Sequence, residues 1–127
     1  MQGGQKGPIV KWQSELRECR AFNDTGDYAS SKSRLTKIRD EAQAVQAVDT
    51  LLPLMNEFLA EAEFRLGAPS AAATLVSEAV SGFEAIKDRE GTVAALKNLI
   101  EIYDVLGDTE RQAACKERLA SFTSVEN

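Results

Sequence analysis

The sequence predicts an all-α chain of three antiparallel helical hairpins, about six helices in all, stacked side by side. Three observations carry that prediction. Apolar residues recur at three-and-four spacing through most of the 127 residues, which places them on one face of a helix. Gly26, Gly67 and Gly107 stand 41 and 40 residues apart, each between two such stretches, and the first and last are followed by Asp. No segment alternates strictly as a half-buried strand does, and only Pro8, Pro53 and Pro69 interrupt a chain rich in Ala, Leu, Glu and Lys.

Residues 1–7 are Gly-rich and polar, and are expected to be a disordered segment or an expression remnant. Residues 8–127 then form one domain, with hairpins at about 8–47, 50–87 and 91–122. Pro8 suits a first helical position, and Ile9, Trp12, Leu16, Cys19 and Phe22 follow at helical spacing, so helix one spans about Pro8 to Phe22. Asn23 to Asp27 is a dense turn signal in which Gly26 accepts a positive φ and Asp27 caps the next helix. Tyr28, Ser31, Leu35, Ile38, Ala42 and Val45 mark a second helix reaching about Ala47.

Thr50, or Asp49, caps helix three and leaves Pro53 in the first turn, where a missing N–H costs little; one continuous helix kinked near Pro53 is the alternative. Leu51, Leu52, Met55, Phe58, Leu59, Ala62 and Leu66 form its apolar face. After Gly67, Ser70 is the expected cap of helix four, whose stripe is Ala72, Leu75, Val76, Ala79, Phe83 and Ile86, and Lys87 to Gly91 form the turn into helix five. Val93, Leu96, Leu99, Ile100, Tyr103 and Leu106 give helix five its buried face. Gly107 and Asp108 end one helix and cap the next, where Cys115, Leu119 and Phe122 make the last stripe. A hairpin of this size cannot bury its own apolar faces, so three must stack to share a core.

Leu96-x2-Leu99-Ile100-x2-Tyr103-x3-Gly107-Asp108 resembles the first helix and turn of a tetratricopeptide repeat. Carried back, the spacing sets Phe22 on the aromatic position, Cys19 on the small one and Gly26-Asp27-Tyr28 on the turn. The departures are Leu96 for the usual tryptophan, Ile100 where the family prefers glycine and Gln112 where alanine is expected. In the middle hairpin Glu63 falls on the aromatic position, with Phe64 one place off. The repeat of 40 residues exceeds the family's ordinary length of about 34 and is more similar to the longer repeats of kinesin light chain. HEAT-type repeats share the length but lack the Gly-Asp turn.

The resemblance implies a short right-handed solenoid that acts as a non-catalytic adaptor or scaffold and holds a partner peptide or helix in a concave groove lined by the first helix of each hairpin. By position the groove takes Gln13, Arg17 and Arg20 from helix one, Glu57, Glu61 and Arg65 from helix three, and Lys97, Asn98 and Glu101 from helix five. Asn98 offers a donor and an acceptor to the backbone of a bound strand. Glu57 and Glu61 argue against a carboxylate clamp. The alternative reading is a self-associating module of a larger regulator, pairing through a terminal face that includes Cys115, Leu119 and Phe122.

Chemistry is sparse in this sequence. There is no histidine, which disfavours a zinc site and the usual general base, and no phosphate loop or nucleophile elbow appears, so neither cofactor nor catalytic residue is expected. Cys19 and Cys115 fall on apolar faces and read as small buried hydrophobes. Net charge is −5 and uneven: through Asp40 eight Lys or Arg outnumber five Asp or Glu, whereas beyond it seven face fifteen. The acidic remainder repels nucleic acid and anionic lipid. The basic residues of the first hairpin, Arg17, Arg20, Lys32, Arg34, Lys37 and Arg39, read as a solvated, paired face, and Trp12 as packing. Lacking a signal-like or bilayer-length apolar run, the chain is expected to be a soluble cytoplasmic protein.

Overall fold

The structure, a computed structural model, describes residues 3–45 and 51–124, with side chains from Val10 in the first span and as far as Phe122 in the second. Six helices make up these residues: α1 (Gly3–Asp24), α2 (Tyr28–Val45), α3 (Leu51–Arg65), α4 (Pro69–Ala85), α5 (Arg89–Leu106) and α6 (Thr109–Ser124). Each helix packs on the next, and α1 also touches α3. The three hairpins therefore stack as a short solenoid, as the repeat spacing predicts.

One turn is used four times. At Gly26 the amide donates to the Asn23 carbonyl (3.1 Å) and the Asp27 amide to Phe22 (2.8 Å). Gly67 and Ala68 repeat this pair of bonds onto Phe64 and Glu63, and Gly107 and Asp108 repeat it onto Asp104 and Tyr103. The paired bonds satisfy the last carbonyls of the helix and require a left-handed residue, here at φ 85°, 92° and 72°. The fourth copy joins α4 to α5, where Lys87 takes φ 60° and Lys87 and Asp88 donate to Glu84 and Phe83. A side chain in this region is strained.

Aspartates start three of the helices. Asp27 accepts from the Ser30 amide (3.2 Å), Asp88 from Gly91 (2.9 Å) and Asp108 from Arg111 (3.1 Å). Helix α4 departs from expectation: Ala68, not Ser70, is its N-cap and no side chain caps it. Pro69 explains the difference, because its absent N–H removes one of the donors a cap would serve. The turn into α5 is also shorter than expected, since Asp88 already caps the helix and Arg89 to Gly91 lie within it.

Two further corrections concern helix ends. Among the described residues helix α1 begins at Gly3, earlier than the start at Pro8 that the apolar spacing predicts. Proline within the second turn forfeits only the bond to one carbonyl, and the flanking Gln5 and Lys6 are ordinary helix formers. Val45, Leu66 and Leu106 are exposed although the apolar stripes include them. Leu106 ends its helix and Leu66 directly follows the end of its own, whereas Val45 is the last described residue of α2. The expected caps at Asp49 or Thr50, and the end of α2 near Ala47, lie outside the described residues.

The core runs through all three hairpins, from Trp12, Leu16 and Cys19 on α1, through Leu35, Ile38, Met55, Leu59 and Val76, to Leu96, Leu99 and Ile102 on α5. Helix α4 is buried on a wider arc than its expected stripe, adding Ala73 and Val80, because α3 and α5 flank it on two sides. Thr92, Ala95 and Ile102 on α5 are buried too, whereas Ile100 and Tyr103 are only partly so. Helix α6 turns Cys115, Leu119 and Phe122 inward and leaves Ala113, Ala114, Lys116 and Glu117 on its outer side. The expected exposed terminal stripe is therefore covered.

Two helical glycines mark close approaches. A methyl group at Gly82 would sit 2.7 Å from Pro53 Cγ, and one at Gly91 would sit 2.5 Å from the Phe83 ring. Both glycines trade helix propensity for contact. Replacing Gly91 with Ala gains about 1 kcal/mol of propensity but overpacks Phe83, a core residue that is 2% exposed, so the net loss should be about 1–2 kcal/mol. Urea unfolding of Gly91→Ala measures it, and a more stable variant contradicts the packing argument. Lys87→Gly, by contrast, should raise stability by about 0.5–1 kcal/mol, because glycine adopts the left-handed conformation without the side-chain penalty and loses part of that gain to unfolded-state entropy. A lower midpoint for Lys87→Gly would show that the Lys87 side chain contributes more than its backbone costs.

Candidate functional site

The first helices of hairpins two and three, α3 and α5, run in the same direction on one face of the stack, separated by the antiparallel α4. Between them lies an open cavity of about 370 Å³. Glu57, Glu61 and Arg65 line it from α3 at successive four-residue intervals, and Asn98 and Glu101 line it from α5. Phe58, Ala60, Phe64, Val76 and Ile102 supply its apolar surface. Charged groups thus surround an apolar floor.

Two asparagines position the carboxylates. The Asn98 amide donates to Glu57 Oε2 at 3.3 Å, joining hairpins two and three across the groove. From α1, Asn23 Nδ2 donates to Glu61 Oε1 at 3.1 Å and to the Phe58 carbonyl at 3.3 Å, joining hairpins one and two. Asn23 is 4% exposed, so Glu61 is steered by a group fixed inside the stack. At the other end of the line the Arg65 guanidinium stands 5.9 Å from the centroid of the Phe64 ring.

Burial pushes the Glu57 carboxyl up to about 6; the Asn98 hydrogen bond opposes that rise and nearby Asp88 adds to it. Cys19 is pushed up to about 11 by burial, with Arg34 opposing, and Cys115 is raised by burial as well. Neither thiol is activated for nucleophilic chemistry. Among the described residues no group of three His, Cys, Asp or Glu could hold a metal ion, and no helix is long and apolar enough to cross a membrane.

Five of the nine groove residues expected from the sequence, Glu57, Glu61, Arg65, Asn98 and Glu101, meet at this cavity. Gln13, Arg17 and Arg20 are exposed on α1 and do not line it, and Lys97 is exposed on α5 beside it. Phe64 and Ile102 were missed as lining residues. A repeat offset of 40 already aligns Asn98 with Phe58, which shows that α3 presents an aromatic where α5 presents an amide. Asn23 carried no signal beyond its turn.

Three of the six basic residues named for the first hairpin, Lys32, Arg34 and Arg39, form ion pairs. Arg34 lies 2.8 Å from Glu18 and 3.8 Å from Glu15. Lys32 reaches Glu63 at 3.2 Å and Arg39 reaches Glu78 at 3.4 Å, so two of the pairs bridge to the acidic second hairpin. Trp12 is buried and donates to Glu41 Oε1 at 3.3 Å.

This architecture, three hairpins closed by glycine turns with their first helices aligned on one face, is a short helical-repeat stack. Among solved structures the chain is similar to the crystal structure of a Rap protein complexed with Competence and Sporulation Factor, with a TM-score of 0.78 and 16% sequence identity over 88% of this chain. It spans 31% of the length of that Rap protein's chain, and at this identity the likeness is one of fold. No family model matches the sequence, and no curated protein matches it.

The raised Glu57 carboxyl has a thermodynamic consequence. The native group holds its proton up to about pH 6, whereas the unfolded chain releases it near 4.5, so its contribution to stability falls as pH rises through that window. At pH 7 Glu57→Gln should therefore stabilise the fold by about 1 kcal/mol, a figure reduced from the full shift because the group is partly solvated. Below pH 4.5 the difference should vanish. Thermal unfolding of both proteins across pH 4 to 8 tests this, and a gain that is flat with pH would assign it to something other than ionisation.

Proposed function

We propose that the chain is a non-catalytic protein-interaction module that binds a partner peptide or helix in the groove between α3 and α5. The observation that carries the reading is the groove itself: an apolar floor rimmed by polar side chains that two asparagines from neighbouring hairpins hold in place. Pockets that bind extended chains combine apolar area with a few fixed polar groups in this way. The Rap protein of similar fold was crystallised with Competence and Sporulation Factor, which supports a partner-binding task for such a stack. The 40-residue spacing of the turns favours the longer repeat variety similar to kinesin light chain. A protein partner in the cytoplasm fits the acidic surface better than nucleic acid or an anionic membrane does.

Self-association through α6 is less well supported, since Leu119 and Phe122 pack against the core and the outer side of that helix is polar or small. A photo-crosslinking amino acid placed at 61 or 101 in the expressing cell should trap a partner, while the same group at 113 on the outer side of α6 should trap none. Adducts arising only from position 113, or only between copies of the chain, would sink the groove reading.

A further inference from the structure

We propose that the groove between α3 and α5 receives a basic side chain, a Lys or Arg of an extended partner peptide, seated among Glu57, Glu61 and Glu101. This rests on the reading of the groove as a peptide site and names the chemistry of its occupant.

Charge complementarity selects that occupant. The cavity lining holds three carboxylates and a single cation, Arg65, which lies at the C-terminal end of α3. Glu57 and Glu61 stand one helical turn apart, a spacing at which like charges repel, and a cation between them removes the repulsion. Asn98 engages one oxygen of Glu57 and Asn23 one oxygen of Glu61. Each carboxylate therefore keeps a second oxygen without a donor among the described residues, and the two are oriented before a ligand arrives. Phe58, Phe64, Val76 and Ile102 complete the fit, because the methylene stem of Lys or Arg lies well along apolar surface while its head stays polar. Beyond Asp40 acidic residues outnumber basic ones, fifteen to seven, which draws a cationic segment toward this part of the molecule. Arg65 repels a second basic residue at its own end and so gives the peptide a direction.

The test selects peptides from a random twelve-residue displayed library on the whole chain, and retains those whose binding is blocked by Asn98→Trp, which fills the groove at an exposed position. Retained peptides should share a Lys or Arg at one position, and replacing that residue by norleucine should weaken binding about tenfold or more. Glu101→Lys, also at an exposed position, should lose those peptides and select ones with Asp or Glu at the same place. Circular dichroism verifies that each variant is folded. Groove-dependent peptides that share no basic residue, or that bind wild type and Glu101→Lys equally, overturn the cation assignment and leave the groove a peptide site. If no retained peptide depends on the groove, both readings fall.

Discussion

A left-handed residue at the end of a helix is the constraint on which the rest of this molecule depends. It bonds two terminal carbonyls back onto the chain and reverses its direction within three residues, and the next aspartate or proline starts a new helix at once. Because Gly26, Gly67 and Gly107 recur at nearly equal spacing, the helices before them all lie on the same side of the stack. The meeting of Asn98 with Glu57, 41 residues apart in sequence, depends on that recurrence. Lys87 carries the same geometry between hairpins, so the third hairpin is joined to the second by the same bonded turn that joins the helices within a hairpin.

What the sequence revealed divides along the same line. Turns were legible because a positive φ has a residue signature, and the apolar stripes were legible because a helix has a period. Helix ends and two-sided burial were not. Leu66 and Leu106 continue their stripes to exposed positions at the ends of their helices, and no periodicity marks where a neighbour stops. Ala73 and Val80 lie off the expected stripe of α4 because that helix meets partners on two sides, a property of the stack that the helix alone does not encode. Gln112, a departure from the repeat pattern, donates to the Ile100 carbonyl at 3.2 Å and so replaces a small-residue contact with a hydrogen bond between α5 and α6.

The candidate site was half legible for a related reason. Repeat register selects which helix faces line the concave side, and that was enough to bring Glu57, Glu61, Arg65, Asn98 and Glu101 together on paper. Register does not say how closely successive hairpins approach. Helix α1 comes close enough to α3 for Asn23 to bond Phe58 and Glu61, whereas the cavity opens between α3 and α5. Gln13, Arg17 and Arg20 on α1 therefore do not line this cavity, and the α1 residue that bonds its wall is Asn23, in the helix's last turn.

Glu57 sharpens the distinction between what the fold needs and what the groove supplies. A carboxylate raised by its own burial works against the native state at neutral pH, and glutamine would keep a hydrogen-bonding partner for Asn98 without that cost. Nor do the neighbouring glutamates offset the cost, since Glu61 one turn away is a like charge. Residues that lower stability while shaping a cavity are expected where binding sets the requirement. Asn23 fits the same logic from inside the stack: its Oδ1 is buried without a partner among the described residues, yet its amide fixes Glu61 at the groove wall. The stack is thus least economical where two hairpins present carboxylates to the same opening, and a cation delivered there would satisfy the charge that folding leaves uncompensated.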